Sequence, residues 1–293
     1  MRNRAYSLSS FNPAKLSESS KFSIGPSTIG DGSFTVFAGP CSIESYDQFL
    51  DVARFVGTHG VGVLRGGVYK LRTDPNSFQG LGEKSFEIVQ RVRAETGMPI
   101  VTEITDPRQL ESLHDLVDMF QVGTRNMYNY DLLKELGTIR KPVLLKRAFS
   151  ALVKEWLLAA EYVLKGGNSE VILCERGIRT FETSQRNTLD LGSIAYIKKH
   201  SHLPVIADPS HGTGRRDLVE PMTLAAAAAG ADGVMIEVHP NPEKAFSDGD
   251  QAVNYAEFAQ IMARLNRLLP ALDRHLALPH ATVPANSAPE HTL

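Results

Sequence analysis

Eight short runs rich in β-branched residues recur along the chain, each followed by a turn and a longer stretch with helical spacing. The runs are FTVFAG, VGVLRGG, PIVTEI, DMFQVG, PVLLKR, VILCERG, PVIADPS and GVMIEVHP. Between them lie amphipathic stretches such as SYDQFLDVARFVGTHG, where apolar residues recur at Phe49, Val52, Phe55 and Val56 and a glycine supplies the stop. DPRQLESLHDLV, ALVKEWLLAAEYVLKGG and LVEPMTLAAAAAGAD have the same character. Alternating strand and helix signals specify βα units around a parallel sheet. Eight of them in 293 residues predict an α/β fold, a TIM (β/α)8 barrel, which closes such a series without an exposed edge. An open doubly wound sheet is the alternative, and the lack of G-x-G-x-x-G after the first run counts against it.

Ahead of the first run, KFSIGPSTIGDGSFTV reads as a short hairpin with Asp31–Gly32 at its turn, placed to plug the barrel floor. Past Pro270 the chain becomes rich in Pro, Ala and Ser. The expected organisation is a disordered tail over 1–21, a catalytic barrel with its hairpin over 22–268, and a flexible tail over 269–293. The basic, serine-rich opening suits an ordinary disordered tail better than an organelle transit peptide.

Lys and Arg number 31 against 33 Asp and Glu, a formal net charge of -2, so the chain has no global attraction for nucleic acid or an anionic membrane surface. Local clusters of positive charge therefore need local purposes. The two cysteines, Cys41 and Cys174, are too few for a disulfide framework and suit a reducing cytoplasm. No stretch approaches the roughly 20 apolar residues that span a bilayer. A cytoplasmic protein is expected.

In such a barrel the active site lies at the C-terminal strand ends. Here the runs end in Cys41, Arg65, Glu103, Arg125, Lys146, Glu175 with Arg176, Asp208 with His211, and Glu237 with His239. Charged groups on strands buried on both faces must pair with one another, a metal or a ligand. Cys41, His211, Glu237 and, within AFSDGD, Asp248 make a donor set for one divalent cation that leaves a position for a substrate oxygen. Singly they have plainer readings: a core cysteine, a loop histidine, a strand-end cap and a helix N-cap ahead of QAVNYAEF. Their coincidence at one mouth favours the metal. In DPSHG, Asp208 is expected to support His211 or face substrate, and the glycines let the loop pass close to the ligand.

Arg65, Lys70, Arg72, Arg125, Lys146, Arg147, Arg176 and Arg179 form a second group. Converging arginines suit phosphate and carboxylate, and this number implies more than one anion. Arg147 and Arg179 are expected in surface ion pairs and stand outside the binding set. Lys146, between apolar flanks, needs an anionic partner. A Schiff base on Lys146, as in metal-free aldolases, is the rival chemistry. Trp156 and the alanines at 225–229 belong to helix packing.

Together AGPCSIES, LRGGVYKLRT, NSFQGLG, VGTRNMYN, LLKR, LCERGIRTFE, ADPSHGTGRR and MIEVHPNPEKAFSDGDQ resemble the 3-deoxy-D-arabino-heptulosonate 7-phosphate (DAHP) synthases of the shorter type I subgroup, across residues 33–265. That subgroup also contains the 3-deoxy-D-manno-octulosonate 8-phosphate (KDO8P) synthases. The resemblance implies condensation of phosphoenolpyruvate with erythrose 4-phosphate and water, releasing phosphate, the first step of the shikimate pathway and of aromatic amino-acid biosynthesis. It implies metal ligation by Cys41, His211, Glu237 and Asp248, the set already chosen. It places phosphoenolpyruvate on Arg65, Lys70, Arg125, Lys146 and Arg176, and the aldehyde's phosphate on Arg72 and Thr73. Lys70, Cys41 and His211 are the catalytic candidates, with Lys70 protonating the new alkoxide from a pKa lowered by its cationic neighbours. The implied metal is Mn2+, with Fe2+, Co2+, Zn2+ or Cd2+ as substitutes, because similar metal-independent KDO8P synthases carry Asn where this chain has Cys41.

The chain departs from the family's Lys-Pro-Arg-Thr-Ser-Pro pattern in KLRTDP, with Leu71 and Asp74, and reads GTRN for GARN. An aspartate beside the second phosphate repels it unless it turns away. The alternatives are therefore a different aldose such as arabinose 5-phosphate, or a regulatory paralogue that only binds these ligands. The family implies a homodimer or homotetramer. About thirty residues before the first strand leave no room for a regulatory module, so aromatic amino acids are expected not to inhibit the chain directly, and a partner such as a chorismate mutase is the expected route to regulation.

Overall fold

An antiparallel hairpin of β1 (Phe22–Ile24) and β2 (Ser27–Ile29) precedes eight parallel strands closed into a barrel, in a computed structural model that describes residues 20–277. The barrel strands are β3 (Thr35–Gly39), β4 (Val63–Arg65), β5 (Ile100–Ile104), β6 (Met119–Val122), β7 (Val143–Lys146), β8 (Val171–Glu175), β9 (Val205–Ala207) and β10 (Gly233–Glu237). They neighbour one another in chain order, and β10 closes on β3 with Glu237 opposite Gly39. All eight runs read from sequence are these strands. Gly39 has φ +150°, and a Cβ there would lie 2.0 Å from the Arg65 carbonyl oxygen, so only glycine lets β3 and β4 approach at the mouth.

Side chains along a strand alternate between faces, and in the barrel one face is the interior. Phe37, Val63, Val101, Met119, Leu144, Ile172, Cys174, Ile206 and Met235 point inward and pack with Phe22, Ile24 and Ile29 of the hairpin into one apolar cluster. The hairpin thus plugs the floor. Two residues further along the same face stand Arg65, Glu103, Gln121, Lys146, Arg176, Asp208 and Glu237. Period two therefore stacks a ring of charge on an apolar plug.

The opposite strand faces pack on helices. α1 (Tyr46–Gly57) starts at Ser45, whose hydroxyl accepts the Gln48 N–H at 3.1 Å, and buries Phe49, Leu50, Val52, Ala53 and Val56. The outer layer continues with α2 (Phe86–Thr96), α3 (Leu110–His114), α4 (Tyr130–Thr138), α5 (Val153–Lys165), α6 (Leu191–His200), α8 (Arg216–Ala228) and α9 (Tyr255–Leu268), while α7 (Pro209–Thr213) is a short extra helix at the mouth. Trp156 on α5 is fully buried and donates its indole N–H to the Leu145 carbonyl, and Ala226 and Ala227 are buried on α8. DPRQLESLHDLV keeps only five α-helical residues after a 3-10 turn at Pro107–Gln109. No helix among the described residues is long and apolar enough to cross a membrane.

Two expectations change. The hairpin turns at Gly25–Pro26, where Gly25 has φ +56°, and not at Asp31–Gly32. Asp31 instead accepts the Ser33 N–H at 3.0 Å and shapes the link from β2 to β3. At the other end, packing continues beyond residue 268 into a 3-10 turn at Leu269–Leu272, and Leu276 and Ala277 are buried where residues 275 and 277 hydrogen-bond the Phe34 backbone. The remaining parts of the expected tails, 1–19 and 278–293, lie outside the described residues.

Shortening the plug tests this arrangement. Ile29→Ala removes a fully buried side chain and should lower the unfolding free energy by about 2–4 kcal/mol in urea denaturation. An unchanged midpoint would place the hairpin outside the core.

Candidate active site

Closure of the barrel brings four distant donors together. Cys41 lies just past β3, Glu237 ends β10, His211 sits on α7, and Asp248 lies in the loop after β10. Their ligand atoms all fall within 4.8 Å of one another. Cys41 Sγ is 3.1 Å from Asp248 Oδ2, and His211 Nε2 is 3.3 Å from Glu237 Oε1. Both cysteines are free thiols. A soft sulfur, an imidazole and two carboxylates, converging from four segments onto one point, fit a divalent cation.

The supporting contacts aim these donors. Asp208 caps α7 by accepting the His211 N–H at 2.9 Å through Oδ1, while its Oδ2 lies 2.7 Å from His211 Nδ1 and 2.6 Å from Lys146 Nζ. A carboxylate beside Nδ1 favours the tautomer with its proton there and the Nε2 lone pair toward the cluster, although the 2.7 Å contact does not meet hydrogen-bond geometry. Glu237 receives Arg65 Nη1 at 2.5 Å and the Gln251 amide at 2.5 Å. Asp248 has φ +56°, a left-handed conformation held from outside: Glu44 accepts the Phe246 N–H at 2.8 Å and meets His239 Nε2 at 3.4 Å. Asp248 precedes a 3-10 turn at Gly249–Gln251 but makes no side-chain cap bond to it, and Asn254 caps α9.

Protonation follows burial and neighbours. Burial pushes the Cys41 thiol up to about 12 with the help of Glu237, against the pull of Lys70 and Arg65. Burial lowers His211 to about 4 despite Asp208 and Glu237, so the imidazole is neutral at physiological pH. For Asp248, burial opposes the charge, but Lys70 and the hydrogen bonds from Lys70 and Cys41, with other neighbours, together outweigh it and hold the carboxyl well below its ordinary range. Lys70 contradicts its expectation. Burial does work against the ammonium, yet Cys41, Asp248 and Glu237 more than offset it and the pKa is raised. Nζ bonds Cys41 Sγ, Ser247 Oγ at 3.0 Å and Asp248 Oδ2 at 2.9 Å. Counting cations near Lys70 in the sequence missed the acids that only folding brings beside it.

These groups open onto a cavity of about 240 Å³ that Arg65, Lys70, Arg72, Thr73, Arg125, Lys146, Arg176, His211 and Asp248 line. Arg176 is buried, and its Nε and Nη1 have no hydrogen-bond partner among the described residues. Burial lowers its pKa to about 10, with Arg186 adding to that and Asp208 opposing. Arg125 reaches Thr73 Oγ1 at 3.1 Å, and Arg72 lies 3.8 Å from Asp248. Asp74 also lines this cavity, and its Oδ1 accepts the Asn76 N–H of its own loop at 2.9 Å.

Arg147 is a correction. It is buried, not at the surface, and pairs with Glu175 at 2.8 Å and Asp190 at 3.0 Å, because strand alternation turns it outward beneath α5 and α6. Arg179 lies against the Phe149 ring. Sequence reasoning missed Arg186, which lines the cavity and donates to Gln251 Oε1 at 3.0 Å. It sits mid-loop in TSQRNT, away from any strand end, and no local signal marked it.

Residues 14–271 match the DAHP synthetase I family. A phospho-2-dehydro-3-deoxyheptonate aldolase of Thermotoga maritima is 48% identical over 255 residues, 87% of this chain and 75% of that protein. A crystal structure of a DAHP synthase from Thermotoga maritima superposes with a TM-score of 0.88 at 45% identity, covering 94% of this chain and 80% of that one. A truncated form of the Thermotoga maritima enzyme gives a TM-score of 0.85 at 44% identity over 92% of this chain and 99% of its own. A 2-dehydro-3-deoxyphosphooctonate aldolase of Syntrophobacter fumaroxidans is 30% identical over 83% of this chain and 90% of that protein. The match takes in every barrel strand and all four clustered donors, and the chain belongs to the DAHP synthetase I family.

Proposed function

We propose that the chain is a metal-dependent DAHP synthase that joins phosphoenolpyruvate, erythrose 4-phosphate and water into DAHP and phosphate, at the head of the shikimate pathway. The observation that carries this reading is a four-donor cluster of which His211 and Asp248 line the same cavity as Arg176, whose Nε and Nη1 have no hydrogen-bond partner among the described residues. Cys41, His211, Glu237 and Asp248 would hold the divalent ion, Mn2+ first among the candidates. When bound, it supplies Lewis-acid polarisation of the aldehyde carbonyl.

Each side chain then has a task. Arg65, Arg125, Lys146 and Arg176 neutralise the carboxylate and phosphate of phosphoenolpyruvate, and Arg72 with Thr73 receives the aldehyde's phosphate. C3 of phosphoenolpyruvate forms the new bond to the aldehyde carbon, whose oxygen takes a proton. Lys70, kept charged by its acids, is the residue assigned to supply that proton. Water adds at C2, and the C2–O bond to phosphate breaks. Lys146 ion-pairs with Asp208 at 2.6 Å, which counts against its use as a Schiff-base amine. Erythrose 4-phosphate is favoured over arabinose 5-phosphate because the DAHP-forming relative is 48% identical and the octulosonate relative 30%.

Three outcomes follow. Chelation should lower phosphate release by at least about a hundredfold, Mn2+ should restore it, and borohydride should trap no adduct on Lys146. Metal-independent turnover would overturn the reading. In an aldehyde panel, erythrose 4-phosphate should exceed arabinose 5-phosphate in kcat/KM by at least about tenfold. Finally, ligation needs the Cys41 thiolate, whose parent thiol sits near 12, whereas His211 is already neutral above about pH 4. Protons therefore compete at the sulfur alone, and Mn2+ affinity should rise by up to about tenfold per pH unit from pH 6 to 8, with one proton released. Calorimetry in buffers of different ionisation enthalpy measures this, and Cys41→Ala should flatten the slope.

A further inference from the structure

Phe149 stands on the loop after β7, between the loops that follow β6 and β8 in the barrel. Three guanidinium groups surround its half-buried ring. The central carbons of Arg179, Arg176 and Arg125 lie 4.5, 4.8 and 5.5 Å from the ring centroid, all within cation–π range. The Phe149 carbonyl also accepts the Arg179 N–H at 2.7 Å, which fastens this loop to the segment carrying Arg176.

The arrangement is costly unless something holds it. Among the described residues, neither Arg125 nor Arg176 takes part in the carboxylate ion pairs that hold Arg65, Lys70, Lys146 and Arg147. Burial and the neighbouring cations destabilise the charge on both. A carboxylate in the same place would satisfy them, but it would also occupy the site and repel an anionic substrate. An aromatic face attracts guanidinium through its quadrupole and carries no net charge.

We propose that Phe149 is a positioning residue that gathers Arg125 and Arg176 at the mouth of the barrel and keeps them open to phosphoenolpyruvate. This rests on the reading of that mouth as a phosphoenolpyruvate site. The ring touches no reacting atom; it acts through the two arginines.

The test replaces Phe149 in the full-length protein and measures phosphoenolpyruvate binding by calorimetry, alongside KM and kcat. Phe149→Leu keeps an apolar side chain but loses the quadrupole, and should weaken phosphoenolpyruvate binding by about fivefold to twentyfold with kcat changing less than about twofold. Phe149→Tyr should restore binding. Progressive ring fluorination at position 149 withdraws the quadrupole at nearly constant shape, so affinity should fall stepwise with fluorine number even if the leucine variant folds poorly. Flat affinity across the fluorinated series, or a tyrosine variant as weak as the leucine one, would overturn the proposal and leave the enzyme assignment standing. A wild-type protein that binds no phosphoenolpyruvate would take down both.

Discussion

The constraint on which the site depends is the two-residue alternation of side chains in a strand that is wrapped into a closed barrel. Residues at the inner face stack in layers, and the chain assigns its layers opposite characters. Met235 is in the apolar plug and Glu237 in the charged ring; the same step separates Val63 from Arg65 and Leu144 from Lys146. The hairpin completes the lower layer, and Gly39 allows the tight approach at the upper one. A buried ring of charge is expensive, and it persists here because Arg65 pairs with Glu237 and Lys146 with Asp208, while Arg176 lies against the Phe149 ring.

That pairing has a direction. Arg65 answers Glu237, Lys70 answers Asp248 and Cys41, and Lys146 answers Asp208. The acids are gathered around the donor cluster, while Arg125, bonded to the Thr73 hydroxyl, and Arg176 share an aromatic ring and have no carboxylate ion pair among the described residues. Positive charge is thus locked in place beside the donors and available a few ångströms away. An anionic substrate would pair with Arg125 and Arg176 and add to the contacts of Arg65 and Lys146, which keep their acids.

Asp208 shows how closely fold and chemistry are joined. One carboxylate ends the seventh barrel strand, caps α7, orients His211 and anchors Lys146. Losing it would remove a helix cap and misalign a donor at once. The loop bearing Asp248 is secured independently, by Glu44 and His239 behind it, which is how a left-handed aspartate is kept facing the cluster.

Much of this was legible in the chain itself. The strand runs, the helical stretches and the charged strand ends depend on local pattern, so the barrel, its mouth and all four donors could be read directly. What the sequence could not display were quantities set by distance between remote segments. The hairpin turn falls at Gly25–Pro26 because packing of Phe22, Ile24 and Ile29 under the barrel outweighed the Asp31–Gly32 signal. Lys70 looked surrounded by cations because Asp248 and Glu237 are far away in the chain, and Arg147 looked superficial because Glu175 and Asp190 are. Residue types and periodicity determined which groups could meet; the closing of the barrel decided which did, since electrostatic energy depends on separation in space and takes no account of separation along the chain.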